Sequence, residues 1–218
     1  MTSQYWPKPL VSTNWLSNNL DNPKVKIIDS STLLPPKPDF SLYDVVPALD
    51  DYKAGHIPGA QFIDIEHELS TPHRHFHFML PTAEIFAQTM ERCGISDDTM
   101  VVTYATTSHW WATRLWWTLK VFGHVNVAVL DGGFQKWQTE NKPIETGDAK
   151  SAPPARYSLR EPNTSLIANK ESVLHHLQGQ STCLINALKR EQHDGISGVH
   201  YGRKGRIPRS INLPALEH

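Results

Sequence analysis

The chain has 218 residues, room for one large domain or for one and a half of ordinary size at about 100–200 residues each. Its 21 Lys and Arg against 22 Asp and Glu leave no net field to draw nucleic acid or an acidic membrane, so both are excluded as partners. Pro7 and Pro9 interrupt the N-terminus, no run of about 18 apolar residues occurs, and the only cysteines, Cys93 and Cys183, lie far apart in apolar surroundings. These features lead us to expect a soluble, cytoplasmic, monomeric protein with reduced thiols rather than a secreted disulfide framework.

In chain order, Thr13 can cap a helix running to Leu20, and Val25 to Ile28 is a short β-branched run. Gly55-His56-Ile57-Pro58-Gly59-Ala60 is a turn whose following residues enter a strand. Thr82 can cap a helix from Ala83 to Cys93, which Gly94 ends. Met100 to Tyr104 predicts a strand, His109 to Phe122 a helix, Asn126 to Leu130 a strand and Gly133 to Glu140 a helix. After a Pro-rich stretch come a predicted helix from Asn169 to Gln178 and a strand from Cys183 to Ile185. Alternating helices and nearly continuous apolar strands imply an α/β fold with a mainly parallel sheet, covered on both faces. The boundaries expected are a first domain over 1–142, an exposed linker over 143–162 and the start of a second domain over 163–218.

An internal repeat supports that division. Lys26-Ile27-Ile28-Asp29-Ser30 leads to Gly55-His56-Ile57-Pro58, and Cys183-Leu184-Ile185-Asn186-Ala187 leads to Gly205-Arg206-Ile207-Pro208. The turns are 150 residues apart (Gly55 to Gly205) and the strand ends 157 apart (Asp29 to Asn186). On the same offset, the loop matching Met100 to Ser108 would fall near residue 255, roughly, past His218.

The turn Gly55 to Ala60, the Trp-rich helix Ala112-Thr113-Arg114-Leu115-Trp116-Trp117, the Phe122-Gly123-His124 stretch and Leu130-Asp131-Gly132-Gly133-Phe134 with Trp137 come in an order that resembles the tandem rhodanese family, the thiosulfate and 3-mercaptopyruvate sulfurtransferases. The resemblance implies a rhodanese-like parallel five-stranded sheet flanked by helices, duplicated, with the second copy incomplete in this chain. It also implies sulfur transfer through a cysteine persulfide, from a small anionic donor such as thiosulfate or 3-mercaptopyruvate to a thiol or cyanide acceptor, with no cofactor. The persulfide needs a thiolate lowered in pKa by backbone N–H groups, a helix N-terminus and nearby cations. In the first copy Ala105 holds the nucleophile position, and a methyl group cannot carry sulfur, so this copy reads as the non-catalytic one. The catalytic cysteine is expected outside this chain, whose ending Leu216-Glu217-His218 reads as the start of a vector-encoded tag.

The second copy departs from the family pattern at Asn186, Leu188, Gln192 and Arg209, while Arg190, Arg203, Lys204 and Arg206 could supply the cations that bind an anionic donor. The bland alternative for these cations is a solvated surface. The turn at Gly55 is read as structural, the Trp-rich helix as packing, both cysteines as small core hydrophobes, and Asp29 and Asp131 as caps of turns or helices. His73, His75 and His77 would share one face of an extended backbone, a metal possibility set against a solvated loop with no further ligand nearby. No metal is expected. The rival to an enzyme is a rhodanese-like binding module with a decayed second copy; a phosphatase of related fold would need a cysteine in the loop at Ala105.

Overall fold

The computed structural model describes residues 9–37, 43–179, 183–198 and 203–215. The strands β1 (Leu10–Val11), β2 (Val25–Asp29), β5 (Gln61–Phe62), β6 (Met100–Tyr104) and β7 (Val127–Leu130) form one sheet in the order β1-β7-β6-β2-β5, parallel throughout. Between β2 and β5 lie a small antiparallel pair, β3 (Thr32–Leu33) with β4 (Val46–Pro47), and α2 (Leu49–Ala54). The remaining helices of this region are α1 (Thr13–Ser17), α3 (Ile65–Glu68), α4 (Ala83–Arg92), α5 (His109–Val121) and α6 (Gly133–Thr139).

Every residue of β6 and β7 is buried, which is why these strands read as unbroken apolar runs. Their side chains still alternate. Val25, Ile27, Met100, Val102 and Tyr104 join the cluster holding Leu16, Tyr52, Ile57, Phe134 and Trp137, whereas Ile28 and Val101 join Phe86, Met90, Leu115, Leu119 and Phe122. The first cluster takes its helical part from α1, α2 and α6 and the second from α4 and α5, so one sheet supports two cores.

Local signals explain most boundaries. Thr82 accepts the Ile85 N–H at 3.3 Å and starts α4 as the sequence predicts. Helix α1 is shorter than expected and is capped by Ser12, whose hydroxyl accepts the Trp15 N–H; Thr13 is its first helical residue. The chain divides into two compact units, one comprising the described residues up to Leu33 and Val45–Asn163, the other Leu34–Asp44 and the part from Thr164 onward.

The stretch expected as a linker, 143–162, falls within the first of these units. Residues 143–162 are laid along the first unit by specific bonds: His56 and Glu145 exchange both backbone hydrogen bonds, at 2.8 and 2.9 Å, and the Tyr157 N–H donates to Glu91. Arg160 pairs with Asp97 at 2.7 Å. Gly94, at φ +69°, lets the strap pass: a Cβ there would lie 3.0 Å from Ala152 Cβ and 3.1 Å from the Pro153 carbonyl oxygen. Tyr157 is buried among the α4–α5 core residues, and its hydroxyl lies 3.0 Å from His124 Nδ1. Because His124 Nε2 sits 3.0 Å from the Thr99 carbonyl, Nε2 carries the proton and Nδ1 accepts from Tyr157. Burial pushes the His124 pKa down to about 4, so the ring is neutral at pH 7. Tyr157→Phe is expected to cost about 1 kcal/mol and Tyr157→Ala roughly 3–4 kcal/mol in urea unfolding. A loss below about 1 kcal/mol for the alanine variant would remove the strap from the core.

In the second unit, α7 (Lys170–Gln178) is capped by Asn169, which accepts the Ser172 N–H at 2.8 Å, and is followed by β8 (Ile185–Asn186), α8 (Arg190–His193) and β9 (Ile211–Asn212). Strands β8 and β9 pair in parallel, Asn186 against Asn212, as β2 and β5 pair Asp29 against Phe62. The copies match in finer detail. Ala60 N–H donates to the Ile57 carbonyl and Ser210 N–H to that of Ile207; Ile63 N–H donates to Asp29 O and Leu213 N–H to Asn186 O. Gly59 has φ +76° and its counterpart Arg209 φ +65°, so the second turn holds a left-handed conformation without glycine, at a cost of about 1 kcal/mol or more. Cys183 is exposed and lies outside β8, which corrects the expectation of a core thiol starting a strand.

Candidate functional site

Two places collect the residues that the sequence singles out. The first is the loop after β6, at the C-terminal ends of the parallel strands, where ligands of open α/β sheets usually bind. Ala105 is buried there, and the loop continues through Thr106 and Thr107 to Ser108, which precedes α5. The loop is tied to the end of β2 by hydroxyls. Asp29 Oδ1 accepts the Ser31 N–H at 2.8 Å and the Ser31 hydroxyl at 2.5 Å. The Ser31 oxygen in turn accepts the Thr106 N–H at 2.7 Å and its hydroxyl at 2.9 Å, while the Thr107 hydroxyl donates to the Thr32 carbonyl at 3.0 Å. Asp29 thus caps a turn, as its strand-end position suggests, and through Ser31 it also fixes the loop.

Asp29 is fully buried, and its Oδ2 has no hydrogen-bond partner. Burial raises its pKa to about 6, against the lowering effect of the Ser31 bonds, the Tyr104 hydroxyl and His56. No cysteine lies in this loop. Cys93 lies in the core with its thiol pushed up to about 12 by burial, so it is protonated and inert at neutral pH. Beside the loop an open cleft of about 520 Å³ is lined by Asp51, Thr106, Thr107, Phe134, Gln135 and Gln138. It offers neutral polar groups and one carboxylate, and no cation, so it does not suit an anionic sulfur donor.

The second place is a cleft of about 530 Å³ in the second unit, between α7 and the segment 203–208. It brings together Arg203, Lys204 and Arg206 from the sequence reading and adds Lys170, which the sequence reading missed. The signal for Lys170 was its place in the first turn of the predicted helix, where its stem and Asn169 face the same cleft. Arg190 opens α8 and is not part of the lining. Arg206 approaches Asp194 at 3.6 Å and the His193 carbonyl at 3.5 Å.

Other candidates resolve differently. His73 Nδ1 accepts the N–H groups of His75 and Phe76, which bends this segment into a turn, so the three imidazoles do not line one extended face. His77 Nδ1 lies 2.7 Å from Glu66 instead. Among the described residues, no three His, Cys, Asp or Glu side chains gather as a metal would require. In the Trp-rich helix, Trp111 is buried against Phe78 with ring centroids 4.9 Å apart, Trp116 donates to the Val127 carbonyl, and Trp117 lies under the Arg114 guanidinium. Asp131 pairs with Lys136 at 2.8 Å rather than capping α6. No described helix is long and apolar enough to cross a membrane.

Comparison with known proteins identifies the family. A model described as the rhodanese-like domain matches residues 12–140. The chain is 38% identical to the sulfur carrier protein TtuD of Thermus thermophilus, over 95% of this chain and 70% of that protein. It is 31% identical to the thiosulfate sulfurtransferase of Mus musculus, over 100% of this chain and 72% of the relative. With the 3-mercaptopyruvate sulfurtransferase of Escherichia coli the identity is 30%, over 95% and 71%. The crystal structure of SseA, an E. coli 3-mercaptopyruvate sulfotransferase, superposes with a TM-score of 0.79 at 28% identity, covering 95% of this chain and 75% of that one. By these matches and by its five-stranded parallel sheet, the chain belongs to the rhodanese family, among whose members it resembles sulfurtransferases along nearly its whole length.

Proposed function

We propose that the protein moves sulfane sulfur from thiosulfate or 3-mercaptopyruvate to a thiophilic acceptor, a thiol or cyanide, through a persulfide on a cysteine outside these 218 residues. The observation that carries this reading is the duplicated strand–turn–strand unit, present in both copies down to matching hydrogen bonds, in a chain that aligns with sulfurtransferases over 95% or more of its length. The first copy serves as scaffold, since Ala105 has no group to accept sulfur and Cys93 is buried. In the reaction a thiolate attacks the outer sulfur of the donor, the donor S–S or C–S bond breaks with its electron pair leaving on sulfite or pyruvate, and the acceptor then attacks the outer persulfide sulfur, restoring the thiolate. Arg203, Lys204 and Arg206 would draw the anionic donor toward the second copy, and the protein would act as a cytoplasmic monomer.

Intact mass after exposure to thiosulfate tests this reading. The full-length polypeptide should gain one sulfur atom that a reductant removes, and the 218-residue chain should gain none. A full-length polypeptide without any gain would overturn sulfur transfer. It would favour the binding-module reading, to which Arg209 in its left-handed turn and the uncharged Asn186 give some support.

A further inference from the structure

We infer that Asn212 is a positioning residue for the proposed sulfur transfer: it fixes the path of segment 186–189, which the duplication sets against the catalytic loop. The inference rests on that reading of function. Asn212 Nδ2 donates to two carbonyls, that of Asn186 at 3.0 Å and that of Leu188 at 2.8 Å. Both partners are acceptors only, so the amide atom between them is the nitrogen and not the oxygen. Two further bonds complete the frame. The Leu188 N–H donates to Asn186 Oδ1 at 2.9 Å, and the Ala215 N–H to the Ala187 carbonyl at 3.0 Å.

The first copy shows what lies opposite this segment. The offset of 157 that relates Asp29 to Asn186 carries Ser31 to Leu188 and Thr32 to Lys189. Ser31 Oγ accepts the Thr106 N–H and the Thr32 carbonyl accepts the Thr107 hydroxyl, and these are the two residues that follow Ala105 at the nucleophile position. Leu188 and Lys189 therefore border the residues after the catalytic cysteine in the second copy. The copies hold the matching carbonyl differently. Ser31 O accepts the backbone N–H of Ala48 at 3.1 Å, whereas Leu188 O accepts the side chain of Asn212. Leu188 also lacks the hydroxyl with which Ser31 ties the first copy's loop. At the position of Asn212 the first copy has Phe62, which is buried against Tyr52 with ring centroids 5.5 Å apart and can hold no carbonyl. Lys189 and Arg190 follow Leu188 directly, and both are exposed, so a shift of the Leu188 peptide displaces two cations that an anionic donor would meet.

Steady-state transfer from thiosulfate to cyanide by the full-length polypeptide tests this, with KM for thiosulfate and kcat read separately. Asn212→Ala, and the isosteric Asn212→Asp, whose ionised carboxylate has no donor for either carbonyl, should raise KM at least about 5-fold, and by a larger factor than they lower kcat. A merely structural role predicts the reverse: fewer folded molecules, hence a lower kcat at unchanged KM. Tyr157→Phe, which weakens the first unit, should leave KM within about twofold. A smaller rise in the Asn212 variants, a loss in kcat that exceeds the rise in KM, or an equal rise in Tyr157→Phe overturns the inference, while turnover by the wild type keeps the proposed function. A wild type without turnover overturns both. If circular dichroism shows Asn212→Ala unfolded, Asn212→Asp and Asn212→Ser decide by the same criterion, and three unfolded variants would make Asn212 a structural residue only.

Discussion

Trp137→Ala should destabilise the first unit by about 3–5 kcal/mol, the largest loss expected from any single substitution in it. Trp137 is fully buried in the cluster formed by α1, α2 and α6 against the sheet, beside Phe134, Leu16 and Ile57. Its indole N–H donates to the Pro143 carbonyl at 2.7 Å, which anchors the first residue of the strap, and Lys142 lies 5.7 Å from the ring centre. Alanine would leave a large cavity and an unpaired carbonyl at once, so two penalties act together. Denaturant unfolding should show a lower midpoint with an unchanged slope, and the thermal midpoint should fall by roughly 10 °C for a unit of this size. Trp137→Phe, which keeps most of the volume but not the N–H, should cost roughly half as much or less. Should the alanine variant unfold within about 1 kcal/mol of wild type, α6 would not be part of the core.

Asp29→Asn is expected to change the pH dependence of stability rather than to shift it uniformly. The carboxyl pKa is about 6 in the folded protein, above the usual value for an unfolded chain, so the folded state holds the proton more tightly than the unfolded state. Its contribution is therefore fully present below about pH 4 and is lost as pH rises through about 6, up to roughly 3 kcal/mol in all. Asparagine does not titrate. Its amide also keeps an oxygen for the Ser31 N–H, while its NH₂ group would stand where Oδ2 has no partner, a cost that does not vary with pH. Measured from pH 4.5 to 7.5, the stability difference, variant minus wild type, should move in the variant's favour by about 1–3 kcal/mol. A pH-independent difference would show that Asp29 is not ionised from a buried neutral state.

The fold was largely legible because its strongest signals are local and repeated. The runs at Val25, Met100 and Val127 are strands, Thr82 caps its helix, and the repeat at Gly55 and Gly205 reports a real structural duplication. Short elements escaped. Helix α2 begins after Ala48 without a side-chain cap, α3 has four residues behind an Asp64 cap, and β1 has two, so none is long enough to show a periodic pattern. Whether residues 143–162 run free or packed was not legible, because proline-rich composition signals irregular backbone in either case. Ala105 and the cations Arg203, Lys204 and Arg206 stand out in the sequence by position and charge. The bond from Ser31 to Thr106 spans 75 residues in sequence and does not, because nothing in either residue type announces its partner.

At the last residue of the strand the two copies differ by one group, a carboxyl in Asp29 and an amide in Asn186. Asn186 Oδ1 accepts the Leu188 N–H at 2.9 Å, as Asp29 Oδ1 accepts that of Ser31, so both copies make the same turn. Only the first can gain or lose a proton while making it. Within one polypeptide, a turn and a twin whose own side chain does not titrate can therefore be followed side by side through the same change of pH.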